Sequence, residues 1–431
     1  MSQRVSTLFS PLTVQEFAQC MAKLGVPQDA PSLAVAVSGG RDSLALTLLA
    51  AEWCRGRGIL LTALTVDHAL RPESRDEALQ VSAWLRNRGI AHQILTWHHP
   101  EPVQSRLQER ARKARYDLLE AWCLQHGVEH LLLGHHFEDQ QETILMRQSK
   151  GTDDVGRAGM SAQLQGFRLT LHRPLLATPR ARLTSTLEGL GQPWIEDPSN
   201  HNRKFARVRL RQDSPPRPSL EMIRGYGQTR QEIEATIATF VLREVQVMAE
   251  GYAEVSLEGL TLPVFKRLIQ AFGGQNYPKR GHQLQAALTR LYSVPCQPFT
   301  LGGALLQPKG GTHFLMCREP GLIQEELTLE PGTWRCWDRR FWLRHDWPCT
   351  LHLRALKLED WSIIKQQDLP CPKRLPWPVP LTLPALYDDG GLFCVPPLRW
   401  IRSNARISAL NKIESVFKPR VEPVPQVFKV I

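Results

Sequence analysis

The chain has 431 residues, too many for one ordinary core at about 150 residues per domain, so two or three domains are expected. Lys and Arg outnumber Asp and Glu by 53 to 42, a net charge of +11 that favours a polyanionic partner, and the basic residues are spread along the chain instead of forming a disordered arm. The 9 cysteines lack CxxC or Cys/His finger spacing, and no apolar run approaches the roughly 20 residues of a membrane span, which excludes zinc-finger, disulfide-scaffold and membrane classes and leads us to expect a cytoplasmic protein with reduced thiols.

Taken in order, Leu33 to Val37 reads as a strand, Asp42 to Trp53 as a helix, Leu60 to Val66 as a strand and Ser74 to Arg88 as a helix. Ala91 to Leu95 then predicts a strand, Gln104 to Gln125 a helix, His130 to Gly134 a strand and Glu138 to Gln148 a helix. Such alternation predicts an α/β fold with a parallel sheet, whose ligands sit beyond the carboxyl ends of the strands. "QDSPPRPS", Gln212 to Ser219, has linker composition, and a helical segment follows from Leu220 to about Ala249. A mixed region runs to about Arg318, and beyond Glu319 the chain holds 7 of its 12 tryptophans with short strand-like runs such as "GLFCV". Trp334, Trp337, Trp342 and Trp347 are expected in the core of this last, β-rich part, in preference to stacking on RNA.

The joint of the first strand and helix is Ser38-Gly39-Gly40-Arg41-Asp42-Ser43. Glycines in a strand-to-helix turn permit positive φ and a close approach of backbone N–H groups to an anion, and the helix end adds positive potential. Hydroxyls of Ser38 and Ser43 with the loop amides suit a departing pyrophosphate, and the Asp42 carboxylate suits the Mg²⁺ that neutralises it. Neither GxxxxGK[ST] nor GxGxxG occurs, which disfavours ordinary P-loop NTPases and dinucleotide enzymes.

The sextet resembles the SGGxDS loop of the N-type ATP pyrophosphatases. With "VDHALRPES" at Val66, "ARKARY" at Ala111, "GHHFEDQQET" at Gly134, "RPLL" at Arg173 and "WIEDPSN" at Trp194, the ordered set over residues 33–211 resembles bacterial tRNA(Ile)-lysidine synthetase. "LPALYDDGGLFCVPPLRWI" extends the resemblance into the tail. The resemblance implies an adenine-nucleotide alpha-hydrolase-like (PP-loop) catalytic domain at 31–216 after an N-terminal extension, 1–30. It further implies a helical or mixed tRNA-binding domain at 217–318 and a β-rich domain at 319–431. It implies a ligase that forms a carbon–nitrogen bond: ATP activates the wobble cytidine of an isoleucine tRNA with a CAU anticodon, and lysine replaces AMP at carbon 2. ATP, as substrate, and Mg²⁺ are the implied cofactors, and tRNA(Ile) and free L-lysine the partners, with no membrane and no stable protein partner. Discrimination from the methionine tRNA with the same anticodon would come from the C-terminal half.

The roles implied are these. Ser38, Gly39, Gly40, Arg41, Asp42 and Ser43 bind ATP, with Asp67 at the adenosine. Arg112 stabilises transition-state charge and Arg115 contacts base or phosphate, where the ordinary reading of two arginines three apart is a solvated helix face. His135, Asp139, Glu142 and Arg207 meet lysine or cytidine, with Glu142 at the lysine ammonium and Asp139 at Mg²⁺ or the amine. Three positions depart from the pattern: Glu138 for Asp, Val208 for Asn, and the altered loop "QSKGTDDVGRAGM". The rival readings are another PP-loop tRNA-modifying enzyme such as a thiolase, disfavoured by the missing CxxC, and a catalytically silent tRNA-binding relative.

Overall fold

The structure is a computed structural model describing residues 9–70, 73–99, 107–149, 151–196, 216–274, 281–293, 296–366, 375–402 and 411–430. Arg207 and its neighbours Val208, Arg209 and Arg211 lie outside the described residues, as does Gln104, where the third helix was expected to begin. Residue contacts divide the chain into two compact units, Met1–Glu232 with Val427–Ile431, and Ile233–Gln426. The four-part division at 30, 216 and 318 remains a proposal.

The first unit opens with α1 (Val14–Lys23), started by a capping box in which Thr13 and Glu16 satisfy each other's backbone N–H. Its Phe17 and Met21 are fully buried in the same core as Leu33, Val35, Leu44 and Leu183, so the helix belongs to this unit. There follow β1 (Ser32–Ala36), α2 (Arg41–Arg55), β2 (Leu60–Asp67), α3 (Glu73–Arg86), β3 (Ala91–Thr96), α4 (Leu107–Gln125), β4 (His130–Leu132) and α5 (Phe137–Gln148). The short α6 (Asp154–Arg157), β5 (Gln163–Gln165), β6 (Thr170–His172) and α7 (Arg180–Gly189) complete the series. The sheet order is β3-β2-β1-β4-β6-β5, parallel except for β5, which pairs antiparallel with β6. β1 is buried on both faces, as its unbroken Leu-Ala-Val run requires of a central parallel strand. From β1 the chain builds outward through β2 to β3, then returns to place β4 on the other side of β1. The turns after β1 and β4 therefore open beside each other at the switch point of the sheet.

Two histidines sit across that sheet. His130 Nδ1 and His172 Nε2 are 3.2 Å apart, and His172 is fully buried. Burial, then the neighbouring His130 and Arg173, pulls His172 down to about 3, while burial alone brings His92 to about 4. Because the folded values lie below the unfolded value near 6.5, stability is fully present above pH 6.5 and is lost as pH falls toward 3. Each such histidine adds a slope of up to about 1.4 kcal/mol per pH unit in that window. Urea midpoints measured from pH 7 to 5 should fall steadily in the parent protein and less steeply in His172→Asn.

The helix Leu220–Glu244 starts in the first unit, enters the second at Ile233 and gives way at Glu244 to β7 (Val245–Val247). This corrects the expected helix to Ala249: Val245 and Val247 pair antiparallel with Val255 and Ala253 of β8 (Tyr252–Ser256), and β-branched residues favour that ladder. β8, with β9 (Phe299–Leu301), β10 (Ala304–Lys309) and β11 (His313–Arg318), completes a sheet of order β7-β8-β11-β10-β9, accompanied by helices Leu262–Gly273 and Gly281–Leu291. Two further antiparallel sheets lie between Leu327 and Phe417, the expected β-rich part. Trp337, Trp342 and Trp347 are buried there as expected, and Trp334 is half-buried. Among the described residues no helix is long and apolar enough to cross a membrane.

Candidate functional site

The turn between β1 and α2 is built from its own side chains. Gly39 has φ +81°, and a Cβ there would come within 2.7 Å of Val81 and 2.8 Å of Ile195, so only glycine fits. The Ser38 backbone N–H donates to Ser43 Oγ (3.1 Å), whose hydroxyl donates to the Gly40 carbonyl (2.9 Å), and the two serine hydroxyls stand 3.2 Å apart. Ile195 N–H donates to the Gly39 carbonyl (2.9 Å), and Arg41 Nη1 donates to Thr184 Oγ1 (3.0 Å) with its guanidinium over Trp194. The turn after β4 approaches just as closely: a Cβ on Gly134 would lie 3.1 Å from Ser43 Cα and 3.3 Å from the Asp42 carbonyl. This backbone contact brings the start of α5 against the start of α2.

Around that contact the charges meet. His136, 2% exposed, hydrogen bonds through Nδ1 with Glu138 Oε2 (2.9 Å), and its Nε2 lies 3.4 Å from Asp42 Oδ2 and 3.5 Å from Asp139 Oδ2. Burial alone would lower its pKa, but the bonds with Asp42 and Glu138 and the charge of Asp139 overcome this and push it up to about 9. His136 is therefore an imidazolium at neutral pH. Burial would raise the Asp42 and Glu138 carboxyls, yet both are held below their usual range, chiefly by His136. Glu138 also accepts the Arg180 backbone N–H at the start of α7 (3.0 Å), so the longer Glu keeps the charge and caps a helix besides.

Asp42 Oδ1 faces Arg180 Nε at 3.7 Å and Arg41 Nε at 3.9 Å. All three atoms are buried and none makes a hydrogen bond. One carboxylate oxygen and two guanidinium edges converging without hydrogen bonds match groups whose partners are a cation and phosphate oxygens. Among the described residues no group of three or more His, Cys, Asp or Glu is arranged to hold a metal by itself, and Mg²⁺ ordinarily takes one or two carboxylates together with substrate phosphates. The free oxygen of Asp42 fits that donor set.

The other expected residues are distributed around this centre. Asp139 Oδ2 accepts the His136 backbone N–H (3.2 Å), tying it to the start of α5, and Glu142 is buried on the same helix. His135 is half-buried, and its neighbour His136 takes the central place. Asp67 is buried at the end of β2, where Oδ1 accepts Ala69 N–H (2.9 Å) and the Ser74 hydroxyl (2.5 Å), and so orders the turn that carries His68. Arg115 Nη2 lies 3.1 Å from His68 Nε2, whose pKa burial, then Arg115, brings down to about 4. Arg112 reaches along α4 instead: its guanidinium lies 5.1 Å from the Tyr116 ring centre, with Nη2 3.4 Å from the hydroxyl.

Sequence reasoning missed His136, Arg180 and Arg173. The doublet His135-His136 signalled a histidine without saying which, and "RPLL" marked Arg173 without a role. Nothing local marks Arg180.

A family described as the PP-loop domain matches residues 13–217. The chain is 35% identical over 335 residues to a tRNA(Ile)-lysidine synthase of Methylobacterium sp. (strain 4-46), covering 72% of this chain and 96% of that protein. It is 33% identical over 336 residues to the tRNA(Ile)-lysidine synthase of Rhizobium meliloti (strain 1021), covering 73% of each. The likeness to the one of Brucella anthropi is 31% over 395 residues, or 85% and 86% of the two chains. Among solved structures, the U34-tRNA thiolase NcsA from Methanococcus maripaludis with its [4Fe-4S] cluster aligns at 17% identity and a TM-score of 0.43, over 50% of this chain and 78% of that one, a likeness too distant to bear on chemistry.

Proposed function

The chain belongs to the tRNA(Ile)-lysidine synthase family, and on that premise we propose that it works in two steps, adenylating the wobble cytidine of a CAU-anticodon isoleucine tRNA and then exchanging AMP for lysine. It is an enzyme that uses ATP and modifies tRNA(Ile); the steps, the carbon–nitrogen bond, the lysine and the Mg²⁺ are our reading. The observation that supports it most is the convergence of Asp42 Oδ1, Arg41 Nε and Arg180 Nε, all without hydrogen bonds, beside the Ser38–Ser43 turn.

In the first step the carbon-2 oxygen of cytidine attacks the α-phosphorus of ATP and pyrophosphate leaves. The hydroxyls of Ser38 and Ser43, the amides about Gly39 and Gly40, and the guanidiniums of Arg41 and Arg180 receive the departing charge. Mg²⁺, held by Asp42 with Asp139 the candidate second carboxylate, would neutralise the pyrophosphate. Arg112 stabilises charge on the transferring group, Arg115 holds base or phosphate, and Asp67 serves the adenosine by ordering its turn.

In the second step the lysine ε-amine bonds to carbon 2 and the C–O bond to AMP breaks. The attacking ammonium must first lose a proton. His136, already protonated at neutral pH, is the wrong acceptor, so that work falls to a carboxylate at the start of α5, Asp139. Glu142 fixes lysine through its ammonium group, and His135 and Arg207 complete the lysine and cytidine contacts. Residues beyond about Pro218 supply tRNA affinity and discrimination between the two CAU tRNAs. The thiolase reading is not favoured, because the curated relatives are lysidine synthases.

With lysine withheld, ATP and tRNA(Ile) should yield pyrophosphate and an adenylated tRNA that chases to product when lysine is added. ATP turnover driven by free lysine without tRNA would show amino-acid activation and overturn the order of steps.

A further inference from the structure

The chain leaves the first unit at Glu232 and rejoins it at Val427. The returning segment is tightly held. Phe428 is 3% exposed, with the Arg230 guanidinium 4.1 Å over its ring and its carbonyl accepting from Gln231 Nε2 (2.8 Å). A Cβ on Gly227 would come within 2.9 Å of the Val430 side chain and 3.3 Å of the Phe428 ring, so both side chains pack directly on the helix backbone. On the other side Lys429 N–H donates to Ser161 Oγ (3.1 Å), and the Lys429 carbonyl accepts Ala162 N–H (3.1 Å), much as a neighbouring strand would.

Ser161 and Ala162, gripped in this way, directly follow the altered loop before β5, and the end of that loop is gripped by α5. Gln140 accepts Met160 N–H (2.7 Å) and donates to the Met160 carbonyl (2.8 Å), while Arg147 Nη1 donates to the carbonyls of Gly156 (3.0 Å) and Gly159 (2.7 Å). Arg173 Nη1 donates to the Ser161 carbonyl (2.6 Å), and Arg173 N–H to that of Ala162 (2.8 Å). Gln140 adjoins Asp139 and precedes Glu142 by two residues. The Ser38–Ser43 turn is held by other partners, Thr184 and Ile195.

We propose that Val427–Val430 is a strap that positions the middle of α5, about Glu142, through the segment Gly159–Ala162 for the transfer of lysine, while the start of α5, fixed on α2 at Gly134 and on α7 by Glu138, keeps His136 and Asp139 in place for the release of pyrophosphate. The inference rests on the two-step reading above. The strap touches none of the reacting groups; its residues are positioning residues, and loosening the segment that Gln140 and Arg147 hold misplaces Glu142 between them by the fraction of an ångström that orientation is sensitive to.

The test separates the steps in the full-length chain. In Phe428→Ala and Lys429→Pro, pyrophosphate release from ATP and tRNA(Ile) should stay within about two-fold of the parent, while lysine transfer at fixed lysine falls at least about ten-fold. Lys429→Ala, which keeps both backbone bonds, should match the parent in both steps. Gln231→Leu, which removes a single hydrogen bond and retains the buried ring, should show a weaker form of the same split and serves if Phe428→Ala does not fold. Equal slowing of both steps, or no slowing of lysine transfer, overturns the strap. If the parent itself releases pyrophosphate without tRNA, the two-step reading has failed instead.

Discussion

Asp42→Asn should cut pyrophosphate release by about 10³-fold while the protein melts within a few degrees of the parent. Asn keeps the size of the side chain and removes its charge where a carboxylate oxygen stands buried between two guanidiniums without a hydrogen bond. Asp42 does two things at once. Oδ2 faces His136 and Oδ1 faces the site where phosphate and Mg²⁺ would meet, so the variant weakens both the metal and the electrostatic frame. Folding should survive because His136 retains Glu138 and Asp139. Rapid-quench measurement of pyrophosphate from ATP and tRNA(Ile) reads the effect directly, and an unchanged burst would remove Asp42 from the leaving-group site.

His136→Gln should lower both stability and activity, by about 2 kcal/mol in urea unfolding and about 10²-fold in pyrophosphate release. The imidazolium is the shared counter-ion of Asp42, Glu138 and Asp139. Gln can hydrogen bond but carries no charge, so three converging carboxylates repel one another. Breaking a fully buried ion pair costs about 3 to 5 kcal/mol, and the lower figure reflects carboxylates that keep 14 to 28% of their surface in water. A loss below about 0.5 kcal/mol would mean that solvent screens these charges, and His136 would then be no more than a helix neighbour.

The parallel sheet, the pyrophosphate turn and the acidic start of α5 were legible because each is written in local sequence. A Leu-Ala-Val run before Ser-Gly-Gly can be satisfied only by a buried strand entering a tight turn, and leucines at helical spacing after Asp42 then follow as α2. The same locality explains the helix expected to run to Ala249: Val245-Gln246-Val247 continues a helical pattern, and only its partner β8, which local periodicity does not reveal, makes it a strand.

What only tertiary structure decided are the partners. Whether His135 or His136 turns inward depends on where α5 begins against α2. The backbone of His136 is extended, and Gly134 allows contact with Ser43, so the second histidine is carried between three carboxylates. Arg180 reaches Asp42 from more than 130 positions away because Glu138 caps its helix, and Lys429 reaches Ser161 across 268. Sequence alone thus determined the chemistry available in each turn, since turn geometry and helix starts depend on a few consecutive residues. The charge balance at Asp42 and the strap on the loop came from folding, since they depend on which distant segments the sheet brings within a hydrogen bond of one another.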